Sequence, residues 1–314
     1  MASILNGNFV RDDMTSKAMG GTELLAHRLI EVVSPEFLED TQIHFSRVTQ
    51  EQDKSKKQIL YLHDLAEDPA VQHLHQTANV WEKIVFVSHW QRQQYHNEFS
   101  NLSYEKTFVI PNAIRPLTMT SRKEGPIKLI YTSTPHRGLD ILYATFEALS
   151  NQFDIELDVY SSFALYGWTE RDKAFQPLFD KLSDHPKITH HFSKPNDVVR
   201  AALQNADIFA YPSTWTETSC LCLIEAMSAG LTCVHSSLGA LAETSKSVTW
   251  QYDYCKSPSD HVNRFYAKMY SVLSLYQQGR EHMRGNGMFQ KQLTDSVHNM
   301  TNFKYNWEKL LYRG

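Results

Sequence analysis

Short apolar runs rich in Val, Ile, Phe and Tyr recur along the chain, with amphipathic stretches between them. The runs are "QILYLH" (58–63), "KIVFVS" (83–88), "TFVIPN" (107–112), "IKLIYTS" (127–133), "IELDVYS" (155–161), "KITHHF" (187–192), "ADIFAYP" (206–212) and "LTCVHS" (231–236). Near-continuous apolar strands separated by helices make parallel sheets covered on both faces. Helical patterns fall between them at 21–33, 68–80, 90–99, 139–151, 170–183, 196–205 and 219–229. From about Pro258 the pattern is helical to the end, where Phe303, Trp307, Leu310 and Leu311 recur at helical spacing.

The segment "PLTMTSRKEGP" (116–126) interrupts this alternation with a proline at each end, a glycine and a short charge run. It reads as a linker between two α/β domains, 1–117 and 118–295. The closing helix, about 296–314, caps its own domain or packs back on the first. A chain of 314 residues suits two domains of roughly 150 residues each.

Composition narrows the picture further. With 42% hydrophobic and 21% charged residues the chain is an ordinary folded protein, and a net charge of −4 argues against coating phosphate backbones. The N-terminus, "MASILNGNFVRDDMTSKAMGG", lacks a basic start and an apolar core, and no run approaches the roughly 18 apolar residues of a span. A cytoplasmic protein without a membrane span is expected. Four cysteines, Cys220, Cys222, Cys233 and Cys255, form no CxxC pair; Cys220 and Cys222 point to opposite sides if helical, and free buried thiols are expected.

In open parallel sheets, ligands bind beyond the carboxyl ends of the strands. Four places satisfy this. Gly20 and Gly21 precede a helix, so backbone can approach an anion there. His63 and Asp64 end a strand, where an imidazole can bond a hydroxyl-rich ligand or simply cap a turn. The run "YTSTPHRG" carries Ser133 and Thr134 as hydroxyl donors and Arg137 as a bidentate phosphate partner, if not a solvated surface arginine.

The fourth place is "STWTETSCLCLIEAMSAG" (213–230), a polar loop running into a helix that reads as buried almost all round. Glu217 and Glu225 lie eight positions apart in it. A carboxylate buried in such a helix needs a partner. If both were helical they would stand about 80° apart and ~12 Å along the axis, at two ends of one extended ligand. A molecule with hydroxyls at both ends and a diphosphate between them, such as a nucleotide sugar, fits that layout.

At these residues the chain resembles the retaining glycosyltransferases of the GT-B fold, specifically the family-four group. The signature of that group is a Glu, seven residues, a second Glu, then Ala-Met and a Gly, here Glu217, "TSCLCLI", Glu225 and "AMSAG". "ADIFAYPS" and "LGALAET" match its flanks, and "GGTELLAHRL", "LYLHD", "FVSHWQRQQY" and "VIPNAI" extend the likeness over nearly the whole chain. The resemblance implies an α/β fold of two Rossmann-like parallel-sheet domains facing across a cleft.

It also implies roles. Glu225 would accept from ribose hydroxyls and Glu217 would contact the donor sugar. Backbone N–H groups of Ser219, Cys220 and Leu221, beside Thr218, would hold the diphosphate with Arg137 and Ser133. Gly20 and Gly21 would lie under the diphosphate, and His63 beside the sugar and the acceptor. An arginine common in the family is replaced by Ser133 or Thr134, so phosphate neutralisation would rest on Arg137 alone or borrow a second cation such as Lys194. "TSC" replaces the family's Gly-Phe-Gly.

The implied reaction is retaining transfer from a nucleotide diphosphate sugar, UDP-linked by family frequency, by a front-face path with neither metal nor cofactor. The acceptor hydroxyl stays open among a glycan, a lipid-linked glycan, a metabolite, a protein and a modified DNA base. A sugar-nucleotide epimerase or hydrolase on the same fold, and an inactive nucleotide-sugar-binding homologue, are the alternatives.

Overall fold

A computed structural model describes residues 9–10, 20–46, 48, 52–120 and 124–312. Most of the N-terminal stretch and residues 121–123 of the linker therefore lie outside the described residues. The chain divides into two compact units, residues 1–115 with 297–314, and residues 116–296.

The first unit holds five strands, β1 (Phe9–Val10), β2 (Thr41–Phe45), β3 (Lys57–Leu62), β4 (Lys83–Phe86) and β5 (Thr107–Val109), neighbours in chain order and parallel throughout. Its first helices are α1 (Gly21–Val32), α2 (Leu74–Thr77) and α3 (His89–Glu98). The sequence reading missed β2 because Gln42 and His44 interrupt its apolar run. Both are buried and bonded: Gln42 accepts from the Asp53 N–H at 2.8 Å, and His44 meets Gln58 at 2.8 Å. The helix expected over 68–80 breaks into a 3₁₀ turn, Pro69–Val71, and the short α2. Asp68 accepts from the Ala70 N–H at 2.8 Å and fixes that turn.

The second unit has six described strands: β6 (Ile127–Tyr131), β7 (Ile155–Val159), β8 (Ile188–His190), β9 (Ile208–Tyr211), β10 (Thr232–Ser236) and β11 (Trp250–Tyr252). Their order is β11-β10-β9-β6-β7-β8, again all parallel. The helices are α4 (Leu139–Leu149), α5 (Gln176–Asp184), α6 (Asn196–Leu203), α7 (Leu221–Ser228), α8 (Leu241–Thr244), α9 (Pro258–Gln278) and α10 (Arg280–Val297). The helix expected over 170–183 begins as a 3₁₀ run, Thr169–Phe175, and turns α-helical where Pro177 takes an early position in α5. Chain order reverses between the neighbours β6 and β9, so the loops leaving their carboxyl ends form the switch point of the sheet.

Residues 116–120 carry no helix or strand and are tied to the end of α7. The Leu117 N–H donates to Ser228 Oγ at 2.9 Å, and Lys291 of α10 donates to the carbonyls of Ser228, at 3.0 Å, and of Leu117. The closing helix α11 (Met300–Leu311) belongs to the first unit. Its buried Trp307 meets Tyr61 edge-on at 4.9 Å, and Glu308 accepts from the Ser34 hydroxyl at 2.7 Å. Among the described residues no helix is long and apolar enough to cross a membrane.

Candidate active site

Two close approaches hold the switch-point loops together. Gly138 ends the β6 loop at φ +92°, and a Cβ there would lie 2.1 Å from the Pro212 carbonyl oxygen of the β9 loop, so only glycine fits. The Thr214 hydroxyl bonds the His136 carbonyl at 3.1 Å.

Across this junction Arg137 Nη1 donates to Glu217 Oε1 at 2.9 Å. Tyr211 at the end of β9 donates to the same oxygen at 2.5 Å. Burial works most strongly against the Arg137 charge, but the Glu217 carboxylate together with Tyr211 and Tyr166 outweighs it, so the guanidinium pKa lies well above its ordinary value. Burial, and then the Glu217 charge, raise the Tyr211 hydroxyl likewise. The Glu217 backbone is pinned from a third loop: it bridges to Gly239, and its carbonyl accepts from the Ala240 N–H at 2.7 Å.

The β6 loop also carries unanswered polar groups. Thr132 Oγ1, Thr134 Oγ1, His136 Nδ1 and Arg137 Nε are buried with no hydrogen-bond partner among the described residues. All four groups lie on one short loop, between Thr132 and Arg137. The His136 ring stacks on Phe163 at 5.1 Å and meets Trp215 edge-on at 5.1 Å. Burial, then the charges of Arg137 and Arg171, push it down to about 4, so it is neutral at pH 7.

Glu225 is the fifth residue of α7 and sits elsewhere on the unit's polar network. Arg200 of α6 donates to its Oε1 at 2.9 Å and Asn196 to its Oε2 at 3.3 Å. Lys194, the expected second cation, is exposed in the loop before α6, and the cation that meets Glu225 is Arg200. Sequence reading passed over Arg200 because a single arginine on an amphipathic helix resembles a solvated residue. The buried Glu225, needing a partner, was the available signal.

The start of α7 requires a correction. The helix begins at Leu221, and Cys220 is its N-cap, with an extended backbone at φ −109° and ψ 97°. Glu217, Thr218 and Ser219 therefore precede the helix. Cys220 and Cys222 do not point apart: their sulfurs lie 3.3 Å from each other. All four cysteines are free thiols.

The remaining expected residues lie in the first unit. Gly20 is the N-cap of α1 and Gly21 its first residue. His63 follows β3; its N–H donates to the Ser46 hydroxyl at 2.8 Å, and its ring packs 4.1 Å from Tyr61. Ser46 holds this place with a left-handed φ of 54°.

Two parallel-sheet units, the second with its charged pair at the switch point, define a protein of the GT-B fold. The sequence profile described as Glycosyl transferases group 1 matches residues 127–274, a stretch that lies within the second unit. No curated protein sequence matches the chain. Among solved structures it is similar to a glycosyltransferase from Rickettsia africae, with TM-score 0.68 and 13% identity over 97% of this chain and 85% of that one. It is also similar to the pneumococcal O-GlcNAc transferase GtfA, solved with UDP and GlcNAc, with TM-score 0.64 and 13% identity over 92% of this chain and 59% of that one. TarM, from S. aureus, gives TM-score 0.61 and 12% identity over 92% and 58%. The chain thus spans less than two thirds of the length of TarM and GtfA.

Proposed function

We propose that this protein transfers a sugar from a nucleotide diphosphate donor, UDP-linked, to an acceptor hydroxyl with retention at the anomeric carbon. The observation that carries the reading is the Arg137–Glu217 pair beside the unanswered donors of the β6 loop, inside the stretch that the glycosyl transferases group 1 profile matches. The UDP bound to GtfA favours the same nucleotide.

The geometry supports a role for each residue. Arg137 uses Nη1 on Glu217, while Nε is buried and unanswered, so one guanidinium can join the sugar-side carboxylate to a diphosphate oxygen. Thr132 and Thr134 hydroxyls and the amides at the start of α7 complete the anion site. Both bonds to Glu217 fall on Oε1, which leaves Oε2 to accept from a sugar hydroxyl. Glu225, oriented by Arg200 and Asn196, receives the ribose.

The acceptor oxygen bonds to the anomeric carbon on the face that the phosphate leaves, and the departing phosphate oxygen takes the acceptor proton. Arg137 and the helix amides stabilise the negative charge that develops there, which is work a metal does in other transferases. A carboxylate already engaged by an arginine and a tyrosine suits positioning of the sugar and not covalent attack.

The test is thermal unfolding with a panel of nucleotide diphosphate sugars, followed by transfer to acceptor extracts. A donor at about one hundred times its Kd stabilises by ~2.7 kcal/mol. Glu217→Gln keeps part of that binding and loses most turnover. No shift with any nucleotide diphosphate sinks the reading.

A further inference from the structure

The transfer reaction uses the backbone at the start of α7 but neither of its thiols. Because Cys220 is the extended N-cap and Cys222 the second helical residue, the cap turn folds one sulfur back over the other, to 3.3 Å. That is about 1.3 Å longer than a disulfide bond of ~2.05 Å. Cys222 is half-buried, so a small reagent can reach it, whereas Cys220 is buried. Burial, then the hydrogen bond with Cys222, keep Cys220 a thiol in the resting protein. The other two cysteines are placed differently: Cys233 is buried in β10 with its sulfur on the Leu231 carbonyl, and Cys255 faces Asp260.

We propose that Cys220 and Cys222 form a thiol–disulfide exchange site for a low-molecular-weight disulfide of the glutathione class, and that its closure weakens donor binding. Cys222 loses its proton to solvent, and its thiolate attacks one sulfur of the small disulfide, expelling one small thiolate. Cys220 then passes its proton to that thiolate and attacks Cys222 Sγ, expelling the second. The two protein thiols are oxidised by two electrons, and the small disulfide is reduced to two thiols.

Closure draws the Cys220 cap toward α7, and the cap is joined through Ser219 and Thr218 to Glu217. The electrostatic neighbours of the Cys220 sulfur include Glu217, and those of the Tyr211 hydroxyl include both thiols, so the movement falls on the site itself. The effect on donor binding rests on the transferase reading; the exchange chemistry does not.

The experiment exposes the purified chain to glutathione disulfide, maps the products by peptide mass, and measures UDP binding by calorimetry before and after. The expected product is a Cys220–Cys222 disulfide, lighter by two hydrogens and reversed by dithiothreitol, with UDP affinity down by roughly tenfold, or ~1.4 kcal/mol. Cys222→Ser abolishes both changes. A glutathione adduct that stays on Cys222, a reaction confined to Cys255, or no reaction overturns the exchange site. Closure with unchanged UDP affinity overturns its link to donor binding. If the reduced protein binds no UDP, the transferase reading fails and the proposed effect on donor binding fails with it, while the mapped disulfide still decides the exchange site.

Discussion

Replacing Glu217 with glutamine leaves the Arg137 guanidinium without its opposite charge while preserving the shape of the site. The side chains are 21% and 6% exposed for Arg137 and Glu217, and the N–O distance is 2.9 Å. Removing one member of a fully buried pair costs about 3–5 kcal/mol. Because Arg137 retains some contact with water, the expected loss is nearer ~2 kcal/mol. Tyr211 keeps its bond, since the glutamine carbonyl still accepts it. Arg137→Met costs a similar amount by stranding the carboxylate. The double variant, with neither charge, costs less than the sum, and the coupling is ~2 kcal/mol. Urea unfolding of the four proteins, followed by circular dichroism, measures the cycle. A coupling below about 0.5 kcal/mol, the ordinary limit of additivity, would refute the claim that the ion pair holds Glu217 in place.

Three further outcomes follow from other parts of the second unit. A Cβ on Gly239 would lie 2.5 Å from the Glu217 carbonyl oxygen at φ +65°, so Gly239→Ala costs at least about 1–2 kcal/mol; an unchanged melting temperature would remove the third loop from the account of Glu217. Arg200→Met leaves Glu225 without its cation and lowers UDP affinity by roughly tenfold, with part recovered in Arg200→Lys and kcat little changed; equal affinities by calorimetry contradict this. His235, fully buried between the Ser236 carbonyl at 2.8 Å and the Thr249 hydroxyl at 2.7 Å, is pushed down by burial from 6.5 to about 4. The unfolded state therefore binds the extra proton between those values, and stability falls as pH drops from 6.5 to 4, by up to ~3 kcal/mol. A His235→Gln variant has a flatter urea midpoint between pH 7 and pH 4.5; the same pH slope in both proteins counts against the assignment.

How much of this was legible beforehand differs from element to element. β9 was plain because all four of its residues are apolar and buried, and β6 and β10 stayed readable although Lys128 and His235 interrupt them. β2 was hidden because Gln42 and His44 find buried partners on other segments, and no single-strand pattern shows that. β11, three residues at the sheet edge, was too short to read. Glu217 and Glu225 stood out by spacing, and Arg137 by its place after a strand. The partner of Glu225 is Arg200, 25 positions away on another helix, and only packing connects them. The thiol geometry was misjudged because the helix was started two residues early, which replaced an extended cap with a helical turn. His136 gained significance only from Phe163 and Trp215, which come from the loops of two other strands.

In mechanical terms α7 is a short strut. Its eight residues span about 12 Å. The Cys220 cap and the Glu217 loop before it stand at one end. At the other, Ser228 bonds the Leu117 N–H at 2.9 Å and Asp295 at 2.5 Å, with Lys291 bracing the same knot. Gly287 of α10 packs so tightly on this end that a Cβ would fall 2.2 Å from the Gly230 carbonyl oxygen. The far end therefore has no slack, and an axial push at the cap is delivered to Leu117 instead of being absorbed along the helix.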